Sequence, residues 1–118
     1  MQEEKVRIAI YYKNYFTDFF SKQRQKVKDK IIWTIRLVET VQHIPKEYFD
    51  HMTGTNGLFE IRVKVGTDIF RIFSFFDEGQ LVIPANGFQK KTQKTPKREI
   101  ELAEKIKKEY ETEKYKNS

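Results

Sequence analysis

The sequence predicts an α+β fold in the order β-α-α-β-β-β-α, a single domain over residues 1–118. Two observations carry this expectation. Three apolar, β-favouring stretches at 58–65, 69–76 and 80–88 follow one another closely, parted by Gly66-Thr67-Asp68 and Asp77-Glu78-Gly79, which read as hairpin turns. Two stretches of helical periodicity precede them and one follows. Helices of this kind need a sheet to cover, so a helical hairpin should pack on one face of an antiparallel sheet, with a C-terminal helix completing the domain.

Taken in order, residues 6–12 form an apolar run with Arg7 inside it, the expected first strand. Asn14 is placed to cap a short helix carrying Phe16, Phe19 and Phe20, and the polar residues 21–25 bend the chain. A longer helix is predicted over 24–43. Val27, Ile31, Thr34, Val38 and Val41 recur at helical spacing, and Ile35 and Leu37 widen the stripe. Lys26, Lys28, Lys30, Arg36 and Glu39 occupy the other side, and Trp33, at the edge, reads as core packing rather than a binding residue. Ile44-Pro45 ends the helix. Residues 46–56 are a connector with one helical turn expected around 47–49, and Gly54-Thr55-Asn56-Gly57 is a turn. Pro84 cannot donate to a ladder, so the last strand should carry a bulge or a free edge there. Thr95-Pro96 reads as an N-cap and first helical residue. The helix should run through Ile100, Ala103, Ile106 and Tyr110 and fray over 112–118.

Charge is concentrated in one place. Residues 90–98 hold five basic side chains and no acidic one, whereas residues 1–89 sum to +2 and residues 99–118 to −1, so the chain's +6 is almost entirely this patch. Lys94, Lys97 and Arg98 fall at a helix N-terminus, where the dipole disfavours each cation by roughly 0.3–1 kcal/mol. Cations beside free helix N–H groups make an anion or phosphate site, against the plainer reading of a solvated charged turn. Cysteine is absent, which excludes disulfides and cysteine-metal sites and fits a reducing compartment. No apolar run approaches the ~20 residues of a membrane span, and Met1-Gln2-Glu3-Glu4-Lys5 has no signal-peptide character. The expectation is a soluble, cytoplasmic protein.

The first hairpin reads in more detail. Phe59, Ile61, Val63 and Val65 alternate with Glu60, Arg62 and Lys64; in the next strand Phe70, Ile72 and Phe76 share one face, and Ile69, Arg71, Phe73 and Phe75 the other. Joining polar to polar puts Lys64 opposite Arg71, because the alternative register buries arginine unpaired at a cost of several kcal/mol. Arg62, Lys64 and Arg71 then share a face with Phe73 and Phe75. Guanidinium groups pair with phosphates and rings stack on bases, a combination suited to RNA. The plain alternative is that both arginines are salt-bridged to Glu60 or to a helix.

Three segments resemble a known family: Gly57-Leu58-Phe59-Glu60-Ile61-Arg62-Val63, then Phe70-Arg71-Ile72-Phe73, then the run Gly87-Phe88-Gln89-Lys90-Lys91-Thr92-Gln93-Lys94-Thr95-Pro96-Lys97-Arg98-Glu99-Ile100. They are similar to the phage-derived HigB-like branch of the RelE/ParE toxin superfamily, in detail over the second half of the chain and in element order over the first. Pro84-Ala85 departs from the bulky aliphatic residues usual there. The resemblance implies the toxin of a type II toxin–antitoxin pair: a ribosome-dependent mRNA interferase acting on mRNA on the ribosome and neutralised by a helix-turn-helix, HigA-like antitoxin. It implies active-site roles for Arg62 and Arg71, and a basic group of Lys90, Lys91 and Lys94.

Cleavage through RNA's own 2′-OH needs a base, charge stabilisation at the phosphorane and a proton for the leaving oxygen. No histidine pair or carboxylate dyad presents itself; His43 and His51 stand alone and read as structural or exposed. No spacing of Asp, Glu or His indicates a metal site, and no cofactor is expected. The chemistry falls to Arg62 and Arg71 for charge and to Lys91 or Lys94 for proton exchange. Lys64, Phe73, Phe75, Lys90, Lys97 and Arg98 are the expected RNA-binding residues. Two other functions fit the fold: a ParE-like gyrase-binding toxin and a non-catalytic nucleic-acid-binding module.

Overall fold

A computed structural model describes residues 4–116; Met1, Gln2 and Glu3, part of the segment read for a signal, and Asn117 and Ser118, at the end of the expected frayed tail, lie outside the described residues. The elements are β1 (Ile8–Ala9), α1 (Tyr15–Ser21), α2 (Gln25–Thr40), β2 (Phe49–His51), β3 (Phe59–Val65), β4 (Asp68–Asp77), β5 (Leu81–Lys90) and α3 (Lys97–Lys116). The fold class is the expected α+β. The five strands lie in the order β1-β5-β4-β3-β2. Among the described residues no helix is long and apolar enough to cross a membrane.

Two strands differ from expectation. Of residues 6–12 only Ile8 and Ala9 pair, and they run parallel to β5 at Leu81 and Val82, so the sheet is mixed rather than antiparallel. The end of α2 explains the short strand. The N–H groups of Val6 and Arg7 donate to the Glu39 carbonyl at 2.8 and 3.0 Å, and the Arg7 guanidinium donates to the carbonyls of Val38, Val41 and Gln42 at 3.1, 2.8 and 2.9 Å. The chain before Ile8 thus caps a helix C-terminus and has no backbone left for a ladder. At 47–49 the expected turn forms, with the Pro45 carbonyl accepting from Tyr48 and Phe49, but the chain then straightens into β2 beside β3.

The sheet is covered on both faces. On one, Val27, Ile31, Ile35 and Val38 of α2 and Phe16 of α1 meet Ile61, Val63, Phe70 and Ile72. On the other, Ala103 and Ile106 of α3 meet Phe73, Phe75, Ile83, Ala85 and the buried Leu58. The third helix therefore lies across the sheet from the helical hairpin. Trp33, expected in the core, is 45% exposed. α2 presents a narrower apolar stripe than 24–43 offered, and the indole falls beyond its edge.

α3 starts one residue later than expected, with the Pro96 carbonyl accepting from Glu99 and Ile100 at 3.1 and 3.4 Å. It does not end near Thr112. Tyr110 donates its hydroxyl to Asp77 Oδ2 at 2.6 Å, and Lys114 Nζ lies 2.6 Å from Asp77 Oδ1, so the last turns are held against the end of β4. The register of β4 with β5 shifts between Ile72 and Ser74, where Ser74 faces Pro84. This is the irregularity that Pro84 predicts. Beside it Asn86 Nδ2 donates to the Glu99 carbonyl and to Glu99 Oε1 at 3.0 and 3.1 Å, tying the bulge to the first turn of α3.

Candidate functional site

β3 and β4 are joined through Gly66-Thr67, with Val65 facing Asp68 and Gly66 at φ +62. Glycine as the first central residue suits such a two-residue connection. The choice of turn sets the register. Lys64 faces Ile69 and Arg62 faces Arg71, two residues away from the predicted pairing of Lys64 with Arg71. A slip of two preserves every face. Arg62, Lys64 and Arg71 still share one side, and the two arginines become direct neighbours. The Arg62 N–H donates across the other edge to the Tyr48 carbonyl at 2.8 Å, so its backbone polar groups point away from β4. Arg62 and Arg71 therefore form the non-hydrogen-bonded kind of antiparallel pair, in which side chains stand closest.

A shared carboxylate makes this tolerable. Glu60 Oε2 lies 3.0 Å from Arg62 Nε and 3.4 Å from Arg71 Nε. Asp50 Oδ2 lies 3.6 Å from Arg62 Nη2. The side chain of Arg71 is 14% exposed and that of Arg62 33%. Burial lowers the Arg71 pKa from its ordinary value; Glu60 opposes that shift and Arg62 adds to it. Guanidinium stays protonated under such a shift, so Arg71 remains cationic at neutral pH. Arg71 Nη1 donates to the Phe70 carbonyl at 3.2 Å, which leaves much of the fork free to meet another anion.

α3 covers only part of this face. Phe73 and Phe75 are 0% and 1% exposed beneath it. They are core residues, a correction to their expected role as stacking platforms: Phe73 meets Phe88 edge-on and Phe75 meets Tyr110. Past Phe73 the face opens. There Arg62, Arg71 and Phe88 stand in one row, and Lys64, Ile69 and Lys90 in the next. A cleft of about 390 Å³ is lined by Lys30, Tyr48, Arg62, Lys64, Ile69 and Arg71 among others. A second, of about 500 Å³, is lined by Thr67, Ile69, Lys90, Lys91, Thr92 and Gln93. The two meet at Ile69.

The predicted basic residues divide accordingly. Lys64 and Lys90 flank the arginine row, and Lys91 lines the adjoining cleft. Lys94 is exposed in the loop before α3 and lines neither cleft; its carbonyl accepts from Thr92 Oγ1 at 2.9 Å. The side chains of Lys97 and Arg98 are 90% and 87% exposed on the outer rim, each 4.0 Å from a glutamate of the same helix. Sequence reasoning missed Phe88, Lys30 and Tyr48. The proximity of Phe88 to Arg71 passes through the bulge at Pro84, and that of Lys30 and Tyr48 through packing between distant elements. Glu60 was legible as the alternative partner of both arginines.

The family described as phage derived protein Gp49-like (DUF891) matches residues 18–108, from within α1 into the middle of α3, a stretch that includes both arginines and the whole basic run. No curated protein matches the chain. With three quarters of its length matched, the chain belongs to the Gp49-like phage-derived family, a RelE-like family of toxin–antitoxin toxins.

Proposed function

We propose that this toxin is a ribosome-dependent mRNA interferase that cleaves RNA through its own 2′-OH. The observation that carries the reading is the Arg62–Arg71 pair, set side by side on the half of the sheet face that α3 leaves open. Two forked cations at that spacing suit the two non-bridging oxygens of one phosphate, and their charge is worth most as the phosphorane forms. In the proposed step the 2′-oxygen attacks the adjacent phosphorus while its proton passes to a base. The bond from phosphorus to the 5′-oxygen breaks, and that oxygen takes a proton. The products are a 2′,3′-cyclic phosphate and a 5′-hydroxyl. Arg62 and Arg71 carry the charge. Lys91 or Lys94 exchanges the protons, and the cleft that Lys91 lines next to Ile69 favours Lys91. Lys64 and Lys90 hold neighbouring phosphates. The ribosome orients the strand.

Family membership implies an antitoxin partner; we propose a helix-turn-helix protein whose acidic or helical segment covers the arginine face. The deciding experiment is primer extension on cellular mRNA after induced expression, joined to a cleavage assay with EDTA in which the ribosomes are already assembled and kept intact. New 5′ ends inside codons, lost when the nucleotide at the cut is 2′-deoxy, are expected. Cleavage of the 2′-deoxy substrate would overturn the mechanism. Intact mRNA with poisoned gyrase would replace it by the ParE-like reading.

A further inference from the structure

Trp33 is the one tryptophan of the chain, and it stands 45% exposed on α2. It is held in place. Tyr48 meets it edge-on with centroids 5.4 Å apart, and Lys30 Nζ lies 4.1 Å from the indole centroid. A cleft of about 390 Å³ lies against it, lined by Lys26, Asp29, Lys30, Trp33, Lys64 and Val65. Three lysines face a single carboxylate there, and Asp29 already accepts a hydrogen bond from Gln25 at 2.8 Å.

This cleft shares Lys30 and Lys64 with the one that holds Arg62 and Arg71. The fold explains the continuity. β2 pairs with β3 only over Phe59, Glu60 and Ile61, and the bond from the Arg62 N–H to Tyr48 is the last across that edge. Beyond it, among the described residues, the edge of β3 carries no neighbouring strand, so the surface passes from the arginine face around Lys64 to the side of α2.

We propose that Trp33, Lys30 and Lys64 form a second nucleotide subsite, which stacks the base and holds the phosphate of a nucleotide flanking the one bound by the arginines, in a single RNA strand. The inference rests on the proposed function for the identity of the strand. The Lys30 ammonium lies over one face of the exposed indole, a cation–π contact, and the base stacks on the other face, with Lys26 and Lys64 lining the same cleft; the cleft is of a size for one nucleotide. The occupant is nucleic acid rather than a protein segment because the apolar lining is only Trp33 and Val65, set among three lysines. A helix docking there would bury those ammonium groups.

The sole tryptophan makes the test direct. The full-length protein is titrated with hexa-adenylate, and Trp33 fluorescence is read. Saturable quenching that weakens with salt is expected. By anisotropy of end-labelled hexa-adenylate, Trp33→Ala should weaken binding about 10-fold, Trp33→Phe should restore most of it, and Lys64→Ala should reduce the salt slope by about 1. Far-UV circular dichroism checks that each variant is folded. Unquenched fluorescence, or full affinity in folded Trp33→Ala, overturns the subsite. So does quenching by the purified antitoxin and not by hexa-adenylate, which makes Trp33 a protein contact. Ribosomal cleavage by wild type and Arg71→Ala is read in parallel: cleavage that depends on Arg71 while Trp33 stays silent refutes the subsite and keeps the interferase reading, and the converse result keeps the subsite and refutes the interferase.

Discussion

Arg62 stands directly opposite Arg71 in the β3–β4 ladder, and one oxygen of Glu60 serves both, at 3.0 and 3.4 Å. Two cations are held side by side on the open half of the sheet face, with Glu60 between them and Asp50 3.6 Å from Arg62. Such a site is preorganised for a further anion.

Arg71→Ala should therefore lower the ribosomal cleavage rate on the order of 10²-fold or more, as loss of one preorganised charge does. Arg71→Lys should recover little, because an ammonium cannot present the bidentate fork. Lys97→Ala, on the exposed rim, should mainly weaken RNA binding and lower its salt slope by about 1. Single-turnover cleavage and binding across a salt series separate these effects. A wild-type rate for Arg71→Ala would remove the arginine pair from the mechanism.

Glu60→Gln should destabilise the fold. The residue is 8% exposed and is the carboxylate that both guanidinium groups share. Without its charge only Asp50, 3.6 Å from Arg62, is left to offset the Arg62–Arg71 repulsion, at a cost of about 1–3 kcal/mol. The urea midpoint should fall with an unchanged slope. An unchanged midpoint would show that solvent, not Glu60, balances the pair.

Gly87→Ala tests the packing of α1 on β5. A Cβ there would lie 2.5 Å from Phe19 Cδ2 and 2.8 Å from Phe19 Cγ. The whole ring has to move, and overpacking of this kind costs about 1–3 kcal/mol. Thermal denaturation should show the loss, and Phe19→Leu in the same chain should restore part of it, a non-additive pair. Additive losses would place the strain elsewhere.

Asp77 anchors the end of α3, and Lys114 and then Tyr110, through their hydrogen bonds, hold its pKa below the ordinary carboxylate value. A depressed folded pKa means the unfolded chain binds the proton first. The contribution is present above the ordinary value of 3.8 and is lost as pH falls through the lower folded value. As pH falls below the ordinary value, wild type should lose stability more steeply than Asp77→Asn, with urea midpoints as the measure. Glu109 and Glu113, lowered likewise by Tyr15 and Lys13, remain in both proteins. Equal slopes would deny Asp77 this role.

Much of the site was legible in the sequence because its information is local. Alternation with a period of two sorts the residues of each strand into two faces, and joining polar face to polar face fixes the register to within an even slip, so Arg62, Lys64 and Arg71 could be grouped although the pairing moved by two residues. Pro84 announced the irregularity in β5 because a missing donor is a property of the residue itself. The concentration of charge at 90–98 needed only counting.

What the sequence by itself determined, then, is the kind and order of most elements, the two faces of the hairpin and the charge of the site. The tertiary structure decided what each face meets. Phe73 and Phe75 alternate with their neighbours like any residues on the arginine side, and only the path of α3 makes them core. Trp33 sits at the edge of an apolar stripe and reads as core, and only the packing of α2 on the sheet leaves it outside, 45% exposed. Arg7 lies in an apolar run, and only the end of α2 draws it out of the sheet. Periodicity comes from bonds between neighbours, whereas burial depends on segments many residues away, and no local pattern records where those segments come to lie.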